Sequence, residues 1–319
     1  VPANVMPAAV LAFLQGERAL GLSWLDDAQA RVPVGMGAEA ETEYWRLLGD
    51  MAQKQNQEAL SLKAFRRLLE MPDATARDFD EVINLLMRTN RSEAAQVSLR
   101  AWEQFHDPRH LTQAFYMLED QGDWDSVGRQ LDLVMVDPKV ASILLTQPAF
   151  LHAAALYYQH VGQGTKALEL LQKGLALDGS STLMRQSLLW LLIDTQNAAL
   201  LAPLLAQAEP TWAQDPEMHD ALAAAYMALS RPAVALQRYL RPHLQENGDD
   251  FLWMMSYADA LEQNQQADLA WRLRRELWTK QALQTRDAGL ADTATGKAKG
   301  SKLRRWLNPK DLSKVQSQA

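Results

Sequence analysis

The stretch YWRLLGDMAQKQNQEALSLKAFRRLLEMPD, residues 44–73, reads as two amphipathic helices joined at QNQ and closed by Pro72, a residue that cannot continue a helical ladder. Gly49 follows Trp45 by four residues, and the small Ser61 and aromatic Phe65 come sixteen and twenty residues after Trp45. A small residue in the second helix marks a place where two helices cross too closely for a large side chain. One such hairpin cannot cover its own apolar face, so the stretch calls for neighbours of the same kind.

Those neighbours are present. A residue at the crossing position recurs as Ser61, Ala95, Val127, Ala167, Leu201, Ala235 and Ala270, at intervals of 34, 32, 40, 34, 34 and 35. The first-helix anchors, sixteen residues earlier, are Trp45, Phe79, Leu111, Leu151, Arg185, His219 and Met254. Arg185 and His219 are polar where a large apolar side chain is expected, although Leu189, Leu192, Ala223 and Tyr226 still supply a stripe in those units. The excess length before Ala167 predicts an extra helical turn within PKVASILLTQP, residues 138–148. Pro203, two residues after Leu201, predicts either a helix that starts late or one that is kinked.

A period of ~34 residues in helical pairs resembles the tetratricopeptide repeat. The expected fold is therefore all-α, a tetratricopeptide-repeat superhelical solenoid of about seven helical hairpins over residues 42–279, with a concave inner surface. A degenerate N-terminal helical pair occupies 1–41. Residues 280–319, including TATGKAKGSK, form a basic, largely flexible tail.

Composition agrees with a folded helical chain. Of 319 residues 48% are hydrophobic, and glycine and proline number only 15 and 13. The formal charge of -7 is uneven, because residues 281–319 hold eight Lys/Arg against three aspartates and leave the preceding 280 residues at -12. An acidic body of this kind is a poor partner for nucleic acid. The absence of cysteine excludes disulfides, thiolate zinc sites and thiol catalysis. The apolar run VMPAAVLAFL, residues 5–14, falls short of the ~20 residues of a membrane-spanning helix and lacks the basic flank of a signal peptide. The chain opens at Val1 without an initiator methionine, which suggests a piece of a longer precursor.

Two segments carry a closer likeness. SLLWLLIDTQNAALLAPLL (187–205) and FLWMMSYADALEQNQQADLAWRLRRELW (251–278) resemble the last repeats of the PelB family, outer-membrane export components of Pel polysaccharide systems. In that family a periplasmic repeat scaffold precedes a C-terminal β-barrel and recruits the enzyme that deacetylates and trims the polymer. The resemblance implies a periplasmic scaffold, attached to the outer membrane in the full-length protein. Its implied partners are a periplasmic polysaccharide deacetylase/hydrolase and a cationic polysaccharide. No alternating strands of barrel type occur in the 319 residues, so membrane contact would come only through a barrel outside this chain, toward which the tail would lead.

Catalytic chemistry has few candidates. His106 and His110 stand four apart, but Pro108 between them breaks the helix that a metal pair would need, which places them in an inter-repeat turn. His152 and His160 are about two turns apart on one helix, too far for one metal, and are expected on the groove or surface. No phosphate loop, nucleophile elbow or HExxH is present. The pairs Glu119/Asp120 and Asp249/Asp250 suit solvated helix ends. No cofactor or metal site is expected, and the chain is read as not an enzyme.

Binding is better supported. Inner faces of first helices line the groove of such a stack, which places Arg46, Asp50, Asp80, Asn84, Arg88, Tyr116, Glu119, His152, Gln159, Trp190, Asp194, Asp220, Asp259 and Glu262 there. A plain solvated face is the competing account of each residue, yet a repeated concave surface concentrates whatever charge it carries. Asp50 stands where a receptor for chaperone C-termini needs asparagine, which disfavours that role. Trp45, Trp102 and Trp271 fall on core stripes, leaving Trp190 and Trp212 as candidates for stacking on sugars. KLRRWLNPK, residues 302–310, interleaves basic and apolar residues. Two alternatives stay open: a cytoplasmic adaptor of the same fold that binds a peptide partner, and a helical hydrolase using Glu119 and Glu262.

Overall fold

The computed structural model describes residues 2–29, 37–247 and 250–291. Among them every regular element is helical, as the repeat spacing requires. Unit 1, residues 1–197, contains α1 (Pro2–Leu14) and α2 (Arg18–Ala28), then α3 (Ala38–Lys54) and α4 (Glu58–Leu68). The pairs α5 (Ala76–Thr89) with α6 (Arg91–Phe105) and α7 (Pro108–Gln121) with α8 (Trp124–Val136) follow. The expected extra turn is the short α9 (Pro138–Leu144), ahead of α10 (Pro148–His160), α11 (Gly164–Leu177) and α12 (Thr182–Asp194). Unit 2, residues 198–319, contains α13 (Ala198–Trp212), α14 (His219–Ala228), α15 (Pro232–Ala235), α16 (Arg241–Glu246), α17 (Phe251–Gln263) and α18 (Ala267–Ala291).

Local chemistry sets the helix ends. Thr75 and Asp78 form a reciprocal capping box at the start of α5. Asp107 and Asp137 each precede a proline at the first helical position and accept a backbone N–H two residues on, at 3.0 and 2.8 Å. FHDP (residues 105–108) and MVDP (residues 135–138) thus end one helix and open the next. The turn inside each hairpin bends at one residue with positive φ: Gly16, Asn56, Gly122, Gly162, Gln196, Ser230 and Gln265. Each stands five residues before a crossing position, and Asn90 (φ -149) is the exception. In the turn between α1 and α2, Gly16 likewise stands five residues before the buried Gly21.

All seven crossing positions are buried. The Ser61 hydroxyl donates to the Gly49 carbonyl at 3.0 Å, and the Phe65 ring lies so close that a Cβ on Gly49 would stand 2.7 Å from it. Tyr44, Phe65, Phe79, Phe115 and Phe150 fill the continuous core of unit 1, each worth ~1.5–3 kcal/mol relative to exposure.

Four expectations are corrected. The polar anchors Arg185 and His219 are bypassed: the residues immediately before them, Met184 and Met218, are buried in their place and keep the same separation of 34 residues. Of the two readings of Pro203 the late start is excluded, because α13 begins at Ala198 and carries both Pro203 and Pro210 within it. Trp271 is 65% exposed rather than in the core, since Ala270 and Leu277 occupy the buried side of α18. Trp212, a candidate for sugar stacking, is buried. α18 also runs to Ala291, past the residue expected to open the tail. The remainder of that tail, with TATGKAKGSK and KLRRWLNPK, lies outside the described residues, as does Asp249.

One irregularity has a covalent cause. Between α15 and α16 the ladder widens into a π-turn, Leu236–Leu240, where the Arg241 N–H reaches back to Leu236. Pro242 follows, and it has no N–H to complete an α-helical bond to Arg238.

Gly49→Ala tests the crossing. Alanine gains about 1 kcal/mol of helix propensity over glycine, whereas overpacking against a buried ring costs ~1–3 kcal/mol. Net destabilisation of about 1 kcal/mol is expected from urea unfolding, and a more stable variant would refute the close approach.

Candidate functional site

The inner-face residues of unit 1 do more than line a surface, because they bond across repeats. Arg46 on α3 donates to both carboxylate oxygens of Asp78 on α5, at 2.9 and 2.8 Å. Asp78 is buried and also receives the Thr75 N–H at 2.8 Å. Burial alone would raise the pKa of this carboxyl, but the bonds from Arg46 and Thr75 outweigh it and hold it below the ordinary value. One repeat later, the Asp80 carboxylate accepts from Nε2 of the buried His110 on α7 at 2.8 Å. Arg46 and Asp80 each stand fifteen residues before a crossing position, and Asp78 and His110 each stand seventeen before the next. The same two helical positions meet in successive repeats.

A third link involves Tyr116 on α7. Its hydroxyl lies 3.1 Å from the Ala149 carbonyl and 2.9 Å from Nδ1 of His152, whose Nε2 lies 2.8 Å from the Ser187 hydroxyl. With the phenol donating to the carbonyl, it accepts from Nδ1–H, and Nε2 accepts from Ser187. His152 is thus only 2% exposed, correcting its expected place on the open groove: both ring nitrogens are used inside the stack. Further along, the Gln159 amide donates to Asp194 at 3.0 Å. His160 stacks on Trp124 at 4.2 Å between ring centres. His106 holds the left-handed residue that ends α6, in the inter-repeat turn where it was expected.

Between α5, α7 and the start of α10 these links leave an open groove of about 650 Å³. Asn84, Gln113 and Gln147 offer carboxamides to it, and Met87, Met117 and Ala149 give it an apolar lining. Each carboxamide can donate and accept, which suits the backbone of an extended segment or the hydroxyls of a sugar. Asp80 and Asp120 are countered by Arg91 and Arg109, and Arg91 reaches Asp120 at 3.0 Å. The groove is therefore balanced in charge, not acidic. Of the fourteen expected residues it brings together Asp80, Asn84 and Tyr116. Arg88 and Asp194 are exposed, Trp190, Glu119 and Asp50 are half-buried, and desolvation raises the pKa values of the Asp50 and Asp194 carboxyls.

The other three expected residues belong to unit 2. Asp259 and Glu262 on α17 share one Arg274 nitrogen of α18, each at 2.6 Å. Asp220 on α14 is pushed up to about 6 by burial and by the nearby Asp250 charge, with His243 pulling the other way. Sequence reading missed a fourth cluster here. Glu209 of α13 accepts from the Tyr226 hydroxyl at 2.5 Å, from Arg238 at 2.8 Å and from the Tyr239 hydroxyl. Burial raises its pKa, and these donors more than offset that and lower it. Asp78 and Ser187 were missed as well, and His110, expected in the inter-repeat turn, lies buried in the first turn of α7; for Asp78 and His110 the fifteen-to-seventeen offset was available in the sequence.

Two changes probe these charges. Arg46→Ala leaves the Asp78 carboxylate unpaired, and because Arg46 is itself partly exposed the loss is about 2–3 kcal/mol at pH 7, below the ~3–5 kcal/mol of a fully buried pair. The unfolded Asp78 takes up its proton near ~3.9, before the folded one does. The pair's contribution is therefore complete above that pH and lost as pH falls through the lower folded value. Urea titrations should show the deficit closing below about pH 4. Asp220 has the opposite sign: its raised folded pKa makes stability fall as pH rises from ~4 to about 6. Asp220→Asn should stabilise unit 2 at pH 7 by about 2–3 kcal/mol and give no gain at pH 4, read from thermal unfolding.

Comparison with known proteins places this geometry. A family model described as tetratricopeptide repeat matches residues 1–282. Among solved structures, the C-terminal part of a TPR repeat-containing protein from Cytophaga hutchinsonii shares 12% identity over 84% of this chain and 98% of that one, with a TM-score of 0.44. A tetratricopeptide repeat protein from Parabacteroides merdae shares 12% over 87% and 92%, at 0.38. YrrB, a TPR protein with an unusual peptide-binding site, shares 17% over 57% and 89%, at 0.39. Superpositions this loose say nothing about ligands. No curated protein sequence matches the chain. The family match spans every hairpin described above, and the chain belongs to the tetratricopeptide-repeat family, whose members are typically non-catalytic scaffolds that bind protein partners.

Proposed function

We propose that this scaffold works in the periplasm in exopolysaccharide export, where it recruits a polysaccharide-modifying enzyme, a deacetylase or hydrolase, to the groove between α5, α7 and α10. In the full-length protein it is attached to the outer membrane through a barrel outside this chain. The observation that carries the partner-binding part is the groove itself: an open channel of about 650 Å³ with three carboxamides over an apolar floor, held in shape by the Asp80–His110 and Tyr116–His152 links. The setting rests on the likeness of residues 187–205 and 251–278 to PelB repeats. An amine-bearing polymer would meet carboxylates at Asp50 and Asp194, neither held in an ion pair among the described residues.

Immobilised protein presented with the periplasmic deacetylase of the same export system tests this reading. Asn84→Ala with Gln113→Ala removes two carboxamides from the rim without touching the buried links. Binding is expected to weaken about tenfold, equivalent to ~1.4 kcal/mol, with unfolding unchanged. Absence of any binding by the folded wild-type protein would sink the proposal.

A further inference from the structure

Two methionines are exposed among the described residues, Met87 at 37% and Met135 at 40%. Their surroundings differ. Met87 lies on α5 in the wall of the groove, and the Gln113 side-chain amide of α7 donates to its sulfur at 3.5 Å. Met135 lies near the end of α8, outside the groove, and no hydrogen bond reaches its sulfur among the described residues. A thioether is only a weak acceptor, so the contact leaves most of the bonding capacity of the Gln113 N–H unused.

The position itself accommodates oxygen. Met87 stands eight residues before the crossing at Ala95, and the same place holds Gln53, Glu119 and Gln159 in three other repeats of unit 1. Gln159 reaches the next repeat from there, donating to Asp194 at 3.0 Å. Methionine sulfoxide is close to glutamine in length and carries a strong acceptor oxygen, so an oxidised Met87 fits a place that the fold already gives to such side chains.

We propose that Met87 is a site of oxidation by hydroperoxides, and that its sulfoxide oxygen draws the Gln113 amide away from the groove. A sulfur lone pair attacks one peroxide oxygen; the S–O bond forms as the O–O bond breaks. With hydrogen peroxide, the departing oxygen takes the proton of the transferred hydroxyl and leaves as water. Sulfur gives up two electrons and the peroxide gains them. The N–H that touches the sulfur meets the arriving oxygen, which carries negative charge as the bond forms. Hydrogen bonds to a charged oxygen are about twice as strong as neutral ones, so the gain in the transition state exceeds the weak bond given up. The effect on the groove rests on the partner-binding function proposed above: the apolar lining gains a polar group, and one of three carboxamides is no longer available. Sulfoxide reductases restore the thioether, which makes the change reversible.

Limited hydrogen peroxide on the folded chain, followed by peptide mass spectrometry, gives the oxidation rates of Met87 and Met135 side by side. Met87 is expected to react about fivefold faster, the factor for one net hydrogen bond in a transition state. Gln113→Glu keeps the shape and removes the donor, and should bring Met87 down to the rate of Met135 or below. Gln113→Leu, which adds no charge, should do the same. With the periplasmic deacetylase as probe, oxidised wild type should bind on the order of tenfold more weakly than untreated protein, and Met87→Leu should bind equally before and after peroxide. Untreated wild type that fails to bind contradicts the function proposed above, while the oxidation site is decided by the rates. Met87 reacting no faster than Met135, a Met87 rate indifferent to both Gln113 variants, or a partner bound equally well by the oxidised wild type overturns the proposal.

Discussion

The structure depends on one steric constraint, the close crossing of the two helices in each hairpin. Ser61 against Gly49, with the Phe65 ring filling the space a glycine Cβ would take, shows how little room is available. Once that distance is fixed, the left-handed turn five residues earlier, the buried anchors and the packing of one hairpin on the next are fixed with it. Interiors packed this densely do not adjust continuously, so the repeat holds its register even where an interval stretches. The long interval before Ala167 is absorbed by α9, and the crossing at Ala167 is unchanged.

The polar links are a consequence of that register. Two helices at fixed spacing bring the residue fifteen before one crossing beside the residue seventeen before the next. Arg46 meets Asp78 there, and Asp80 meets His110. Carboxylates and imidazoles that could have faced a ligand are instead committed to neighbouring repeats, and the groove is lined by what remains: carboxamides, methionines and balanced charges. Recognition in such a channel falls to hydrogen bonding and shape more than to net charge.

The sequence by itself determined the helical class, the ruler of crossing positions and the extra turn at α9, because each follows from local sterics or from small residues at fixed spacing. It also pointed to Asp80, Asn84 and Tyr116. Only the tertiary structure decided that Met184 and Met218 replace Arg185 and His219 as anchors, that His152 lies inside and Trp271 outside, and that the groove is balanced in charge. Helical periodicity gives the angle of a side chain around its own axis, whereas burial and pairing depend on which residues of another helix face it. That information is set by the packing of hairpins many residues apart, and a single amphipathic pattern does not contain it.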